Sequence, residues 1–140
     1  LLSKAAGIRG MVGGQAIDLK AQSAVKNIDD LKLLHSLKTG ALIQLSVEGS
    51  AMIAGAKASD IESLKKFGAG LGLAFQIADD ILDHGEKDQD QRSFTGYLGV
   101  AGTQDLLAKV SEESLQSLHK VSTEASLLEH LINFNQSRKV

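Results

Sequence analysis

The sequence predicts an all-α fold. Its 140 residues contain no proline and 14 glycines, so long helices can run on and be joined by glycine- or serine-containing turns. Every long segment repeats its apolar residues with helical spacing, and none alternates apolar and polar residues as a half-buried strand does. A chain of this length can bury a sizeable core as one domain.

The composition excludes several classes of protein. Hydrophobic residues make up 43% and charged residues 23%, which is typical of a globular chain. Fifteen Lys and Arg against 17 Asp and Glu give a net charge of −2, so charge offers no support for nucleic-acid binding. The absence of cysteine excludes disulfides, cysteine-ligated zinc and thiol catalysis, and is compatible with the cytoplasm. The apolar runs are too short for a membrane span.

The first third of the chain predicts two helices. Residues 1–24 repeat with helical period and form one candidate helix, interrupted at Gly13 and Gly14. Asn27 or Asp29 then provides the N-cap of a short helix that ends near Leu37, because a short polar side chain can accept the otherwise unpaired first amides.

Two longer helices occupy the middle of the chain. The first is predicted from about Lys38 to Ala56, with a core face that comprises Leu42, Leu45, Met52 and Ile53. Ser59 and Glu62 have the spacing of a capping box, in which each side chain accepts the other's backbone amide. This box predicts the start of the next helix, which runs to about His84.

The last third is predicted as a loop followed by helical segments. Residues 85–92 are polar and aperiodic and are expected to form a loop, with a short helical piece at 94–98 after it. Thr103 is the predicted N-cap of a helix that ends near Lys120, and Thr123 is that of the final helix.

The helix that ends near His84 carries an acidic face. At about 100° per residue, its apolar residues fall on one arc, which comprises Leu64, Phe67, Leu71, Ala74, Phe75, Ala78, Ile81 and Leu82. Gln76, Asp79, Asp80 and Asp83 fall on the adjoining arc. Neighbouring carboxylates repel one another unless a cation lies among them, and hard oxygen ligands suit Mg²⁺ that also binds phosphates. The alternative is a solvated acidic turn, although acidic residues oppose the dipole at a helix C-terminus.

Three segments together resemble one enzyme family. Residues 72–83 (Gly-Leu-Ala-Phe-Gln-Ile-Ala-Asp-Asp-Ile-Leu-Asp) resemble the second aspartate-rich motif of the trans-prenyltransferases, the polyprenyl diphosphate synthases. Residues 35–43 (His-Ser-Leu-Lys-Thr-Gly-Ala-Leu-Ile) are similar to its Lys-Thr element, and residues 10–19 to its Gly-Gln-x-x-Asp-Leu element. The three occur in the family's order, and the likeness extends over residues 1–100.

The resemblance implies a fold and a reaction. It implies a helical bundle of the isoprenoid synthase type, of which residues 1–140 are the C-terminal part of a single domain. The implied reaction condenses an allylic diphosphate with isopentenyl diphosphate in a short-chain, farnesyl or geranylgeranyl diphosphate synthase-like enzyme. The implied assembly is a homodimer, or a pairing with the N-terminal half.

The same resemblance assigns residues to that chemistry. It implies Asp79, Asp80 and Asp83 as ligands of Mg²⁺, and Lys38, Thr39 and Gln76 as catalytic residues that contact the diphosphate and the allylic chain. Lys87 is a weaker diphosphate contact and Arg92 weaker still, whereas Phe75 is expected in the core or a pocket wall. A lone surface lysine is the alternative for Lys38.

The chain also departs from the family pattern. It has only the second aspartate-rich motif, and no match to the basic residues that hold isopentenyl diphosphate. The 140 residues alone are therefore expected to be inactive. The rival hypothesis is a non-catalytic helical subunit or assembly fragment that retains the fold.

Several residues keep a packing interpretation. Gln15 and Asp18 lie one turn apart, and a hydrogen bond between helices is preferred for them over substrate contact. The glycines at 68, 70 and 72 allow either close approach of another helix or room for an isoprenoid chain. The four histidines, at 35, 84, 119 and 130, are interpreted as ordinary surface or packing residues.

Overall fold

The structure is a computed structural model that describes residues 1–85, 92–121 and 125–138. Regular structure within these ranges is entirely helical, so the all-α prediction is confirmed. The elements are α1 (Leu2–Ala6), α2 (Met11–Asp18), α3 (Ala21–Ala24), α4 (Ile28–His35), a π-helical segment (Ser36–Gly40), α5 (Ala41–Ile53), α6 (Ala58–Leu82), α7 (Phe94–His119) and α8 (Ser126–Ser137). None of the described helices is both long and apolar enough to cross a membrane.

Helix α6 lies at the centre of the bundle. It packs against α5 and the π-helical segment as well as α7, and α8 contacts both α6 and α7. Phe67 and Ile77 on α6 are fully buried, as are Phe94 on α7 and Ile132 on α8. The acidic turn that ends α6 is therefore attached to the central helix of the described bundle.

Close packing explains the glycines of α6. A Cβ added at Gly72 would lie 2.8 Å from the Gly40 Cα, and one at Gly68 would lie 3.0 Å from the Gln44 Cα. Backbone atoms at these distances cannot move aside cheaply, so a side chain here would push the two helices apart. Of the two explanations that the sequence left open, the structure favours close approach at these positions.

The predicted N-terminal helix over 1–24 is wrong. The chain forms three short helices instead, and the first break lies between Ala6 and Met11 rather than at Gly13 and Gly14, which are buried within α2. A Cβ at Gly14 would lie 2.3 Å from the Lys38 backbone nitrogen. These glycines therefore serve packing inside a helix, and helical period alone does not distinguish that role from a break.

The structure selects Asn27 as the cap of α4. Its Oδ1 accepts the backbone N–H groups of Asp29 and Asp30 at 2.9 and 3.0 Å. The predicted boundary near Leu37 is wrong, because α4 continues through the π-helical segment into α5.

The predicted core face of the next helix is wrong at its C-terminal end. Met52 is 49% exposed and Ile53 is 91% exposed, whereas Leu42 and Leu45 are half-buried. The capping box is also wrong, since Lys57 is the N-cap residue of α6 and makes no side-chain capping bond. The Ser59 hydroxyl instead donates to Asp60 Oδ1 at 3.2 Å. Helix α6 ends at Leu82, close to the predicted end.

The predicted cap at Thr103 is wrong. Helix α7 begins at Phe94, where the Ser93 hydroxyl accepts the Gly96 N–H at 3.0 Å. The helix is interrupted at Gly99, whose φ of 69° is left-handed, and the Thr103 hydroxyl donates to the Gly99 carbonyl at 2.7 Å. Thr123 and the predicted loop residues 86–91 lie outside the described residues.

Candidate functional site

The Lys-Thr element lies on the π-helical segment. Lys38 Nζ donates to Asp18 Oδ2 on α2 at 2.6 Å, and both side chains are about one-third exposed. The contact between helices preferred from the sequence is confirmed for Asp18, whereas Gln15 is exposed. The absence of a side chain at Gly14 lets the α2 backbone reach the Lys38 backbone, which brings the two motifs together.

The π-helical segment packs against α6. Such segments contain an extra residue per turn, and they often occur at functional sites because they redirect the side chains around them. Gly40 is buried against Gly72, while Lys38 and Thr39 are half-buried and accessible from one side. Lys38 and Thr39 are thereby held beside the helix that carries Gln76.

His35, which directly precedes the π-helical segment, packs against α7. Its ring stacks on Phe94 with a centroid distance of 5.5 Å and an interplanar angle of 29°. On α6, the Gln76 side chain donates from Nε2 to Asp79 Oδ2 at 3.3 Å. A histidine that the sequence analysis interpreted as a surface or packing residue therefore lies where the chain before the Lys-Thr element meets the start of α7.

Burial sets the charge of His35. Desolvation is the main cause that lowers the pKa of this imidazole, and the nearby Lys38 ammonium lowers it further. The hydrogen bond with Gln76 and the carboxylates of Asp18 and Asp79 oppose that shift without cancelling it. The ring is therefore neutral near pH 7.

The acidic turn is already paired. An Arg138 guanidinium nitrogen donates to Asp79 Oδ1, and the guanidinium lies over the Phe75 ring, 4.7 Å from its centroid. Asp80 Oδ2 accepts the Phe94 backbone N–H at 2.6 Å. Asp83 is the C-cap residue of α6 and is exposed.

Asp79 and Asp80 thus contact different partners, and Asp83 is exposed at the helix end. Within residues 1–85, 92–121 and 125–138, no three His, Asp or Glu side chains lie close enough together to hold a metal ion. Lys87 lies outside the described residues. The metal and substrate roles of the predicted residues stay predictions.

Phe75 and Arg138 differ from the sequence interpretation. Phe75 is 36% exposed, so its predicted place on the core arc is wrong, and it serves as a surface for the guanidinium. Arg138 was missed because 59 residues separate it from Asp79, and no local pattern reports such a contact. His35 had a usable signal, since it precedes Lys38 by three residues and so lies on the same side of the helical run.

Comparison with known proteins identifies the family. The family model described as polyprenyl synthetase matches residues 2–96. Farnesyl diphosphate synthase of Geobacillus stearothermophilus is 33% identical over 98% of this chain and 50% of its own length. Geranylgeranyl pyrophosphate synthase 4 of Arabidopsis thaliana is also 33% identical, over 98% of this chain and 37% of its own.

Solved structures agree on the fold. An FPP/GFPP synthase from Zymomonas mobilis superposes with a TM-score of 0.86 at 31% identity, covering 96% of this chain and 48% of its own. A Helicobacter pylori geranyltransferase complexed with magnesium and isoprenyl diphosphate superposes with a TM-score of 0.74 at 29% identity, over 96% and 48%. The predicted isoprenoid synthase bundle is confirmed, and the chain spans about half the length of the curated relatives it matches. The chain belongs to the polyprenyl synthetase family.

Proposed function

We propose that this chain contributes to a Mg²⁺-dependent prenyl transfer. In the proposed reaction an allylic diphosphate loses pyrophosphate, which leaves an allylic cation. The double bond of isopentenyl diphosphate attacks this cation to form the new carbon–carbon bond, and the cation that results loses a proton. The observation that carries the proposal is the close packing of the Lys-Thr element on α6: a Cβ added at Gly72 would lie 2.8 Å from the Gly40 Cα, and on the same helix Gln76 donates to Asp79. The relatives described above are farnesyl and geranylgeranyl diphosphate synthases, which supports the same reaction.

Lys38 is the proposed contact for the departing diphosphate. An ammonium group has three donors, and the bond to Asp18 uses one of them, so donors remain for a phosphate oxygen. Asp18 holds the long lysine side chain in place, which reduces the rotamer entropy lost when substrate binds. The Thr39 hydroxyl, on the same segment, supplies a further polar contact in this proposal.

The acidic turn is the proposed Mg²⁺ site. Asp79, Asp80 and Asp83 offer only carboxylate oxygens, which is the donor chemistry that Mg²⁺ prefers. The ion needs only one or two protein carboxylates when phosphates and waters complete its shell, so the spread of these carboxylates is compatible with that role. When bound, Mg²⁺ would stabilise negative charge on the departing pyrophosphate.

Gln76 is the proposed contact between these two sides. Its amide donates to the Asp79 carboxylate at 3.3 Å, and the residue lies one turn before Asp80. From this position it can orient the allylic end of the substrate while its hydrogen bond to Asp79 holds its own orientation. Lys87 remains a proposed further contact to the diphosphate.

The proposed activity needs more polypeptide than these residues. The chain spans half of its relatives, and we propose that it forms the C-terminal part of one helical domain with a segment equivalent to their other half. Ile8 on the α1–α2 connection and Ile53 at the end of α5 are 73% and 91% exposed, which is consistent with faces that meet further helices. The proposed assembly is a homodimer or a pair with that half, and the proposed setting is the cytoplasm.

The test is a condensation assay. The 140-residue chain is supplied with Mg²⁺, dimethylallyl diphosphate and labelled isopentenyl diphosphate, alone and together with the other half of a family member. We expect product only in the second case, and an Asp79→Ala variant of the chain should abolish it. Asp105→Ala is the matched control, since Asp105 is exposed on α7. Product formation by the Asp79→Ala variant at the unaltered rate would contradict the proposed metal role.

A further inference from the structure

Asp80 has a different environment from the two other carboxylates of the acidic turn. Its Oδ2 accepts the Phe94 backbone N–H at 2.6 Å, whereas Asp79 contacts the Arg138 guanidinium and Asp83 is exposed. A short bond between a carboxylate and an N–H is typical of a charge-assisted hydrogen bond. Adjacent residues of a helix point about 100° apart, so Asp80 faces the start of α7 while Asp79 faces the end of α8.

The Phe94 amide is one that α7 cannot pair by itself. Phe94 is the first residue of the helix, and the first amides of a helix have no partner in a preceding turn. Ser93, the N-cap residue, accepts a different amide, that of Gly96. Because Phe94 is fully buried, its N–H depends on the Asp80 carboxylate rather than on solvent. A negative charge also suits this place, since the N-terminal end of a helix dipole is positive.

Phe94 lies where the two sides of the candidate site meet. Its ring stacks on His35, and His35 directly precedes the π-helical segment that carries Lys38. Ser93 and Thr95, which flank Phe94, are also buried. The bond from Asp80 therefore joins the end of α6 to a packed junction that also supports the Lys-Thr element.

We propose that Asp80 is a positioning residue, which caps α7 and holds Phe94 in place, and that it is not a ligand of the metal ion. The proposal deepens the proposed function, on which it rests for the presence of a Mg²⁺ site. Mg²⁺ usually takes only one or two protein carboxylates, so Asp79 and Asp83 suffice. If Asp80 turned to the ion, the buried Phe94 N–H would lose its acceptor, which is costly for a buried donor.

Substitution by asparagine and by alanine separates acceptance of a hydrogen bond from negative charge. Asp80→Asn keeps an oxygen that can accept the Phe94 N–H and removes the charge, whereas Asp80→Ala removes both. Asp79→Asn is the matched variant at the adjacent residue, and Asp83→Ala removes an exposed carboxylate from the same turn. Circular dichroism establishes whether each variant of the 140-residue chain is folded.

The first readout is hydrogen exchange of the Phe94 amide, followed by NMR, together with unfolding in denaturant. We expect this amide to stay protected in Asp79→Asn and Asp80→Asn, and to exchange at least about 10-fold faster in Asp80→Ala. The unfolding equilibrium constant should rise by about 5- to 150-fold in Asp80→Ala, less in Asp80→Asn, and by no more than about 2-fold in Asp83→Ala. Failure of Asp80→Ala alone to fold would be the same result in a stronger form. Equal protection and stability of Asp80→Ala and the unaltered chain would overturn the proposal.

The second readout is the affinity for inorganic pyrophosphate with Mg²⁺. Asp80→Asn should change it by no more than about 3-fold, the effect of losing one nearby charge, whereas Asp79→Asn should weaken it by about 10-fold or more. An Asp80→Asn loss as large as that of Asp79→Asn would overturn the proposal, because it would make Asp80 a ligand. If Asp79→Asn leaves the affinity unchanged, the proposed metal site fails, and exchange of the Phe94 amide still decides whether Asp80 caps α7.

Discussion

The basic and acidic sides of the candidate site are built differently. Lys38 on the basic side is held by Asp18, only 20 residues away and within a neighbouring motif. Asp79 and Asp80 on the acidic side are held by Arg138 and by the Phe94 amide, 59 and 14 residues away. Lys38 keeps donors for a phosphate oxygen beside its bond to Asp18, whereas a cation at Asp79 would have to compete with Arg138.

The consequence is that the two sides should respond differently to substitution. Removing a charge from the basic side takes away a proposed ligand contact and leaves one carboxylate, Asp18, without its lysine. Removing Arg138 from the acidic side takes away a competitor of the proposed cation. The predictions below test this contrast, from the largest expected effect to the smallest.

Removal of the Asp79 carboxylate should have the largest effect. We expect Asp79→Ala to weaken Mg²⁺-dependent pyrophosphate binding by about 100-fold or more. Loss of a residue that only supports a metal ligand costs about 10- to 100-fold in metal affinity, and loss of a ligand itself should cost at least as much. Isothermal calorimetry measures the affinity, with Asp105→Ala as the control. An affinity that stays within a factor of two would remove Asp79 from the site.

On the basic side, Lys38→Ala should weaken binding of a non-reactive allylic diphosphate analogue. Hydrogen bonds to charged groups contribute about 1.5–3 kcal/mol, which corresponds to roughly 10- to 150-fold in affinity. Lys109→Ala is the control, since Lys109 is exposed on α7. Equal affinities for Lys38→Ala and the unaltered chain would show that Lys38 serves only its ion pair with Asp18.

The close packing of α6 against the π-helical segment can be tested through the free energy of unfolding. Gly72→Ala places a Cβ 2.8 Å from the Gly40 Cα, so α6 and the π-helical segment must separate. We expect a loss of about 1–3 kcal/mol in the free energy of unfolding, measured with denaturant. Gly49→Ala, whose Cβ would meet only the Leu45 side chain at 4.0 Å, should instead be neutral or stabilise by up to about 1 kcal/mol. Equal effects of the two variants would contradict the close approach.

Removal of Arg138 should strengthen Mg²⁺ binding, whereas removal of Asp79 should weaken it. Arg138→Gln frees the Asp79 carboxylate, and a partly exposed ion pair is worth at most about 1 kcal/mol. We therefore expect Mg²⁺ to bind about 2- to 5-fold more tightly at fixed pyrophosphate in a titration. Arg9→Gln is the control, as Arg9 is exposed. Weaker binding in Arg138→Gln would mean that the arginine contacts the ligand itself.

The smallest effect concerns pH. The folded-state pKa of His35 lies below its ordinary value of 6.5, so the unfolded chain binds more protons below that pH. The free energy of unfolding should therefore fall as pH drops from about 6.5. The slope corresponds to a difference of less than one bound proton between the unfolded and folded chains. Denaturant unfolding across this range in His35→Gln should show a shallower slope than the unaltered chain, and an unchanged slope would contradict the assignment.

The three motifs and their placement on helices could be predicted because each motif is a pattern of residues that are close in the sequence. Residues 10–19, 35–43 and 72–83 carry the family resemblance in their own residue types, and helical period placed them on helices. The wrong predictions concern glycines, which can either end a helix or pack inside one, and apolar residues, which can be either buried or exposed. Gly13 and Gly14 pack inside α2 rather than end it, and Ile53 is exposed, because only the neighbouring element decides whether such a residue is buried.

The sequence by itself determined the all-α class, the family and the carboxylates one helical turn apart, since each depends on residues near one another in the chain. Only the tertiary structure decided that Arg138 and the Phe94 amide pair with Asp79 and Asp80, and that the His35 ring stacks on Phe94. Such contacts depend on how α4, α6, α7 and α8 pack against one another. Packing is set by the fit of whole helix surfaces, with glycines at the points of closest approach, and no short pattern contains that information.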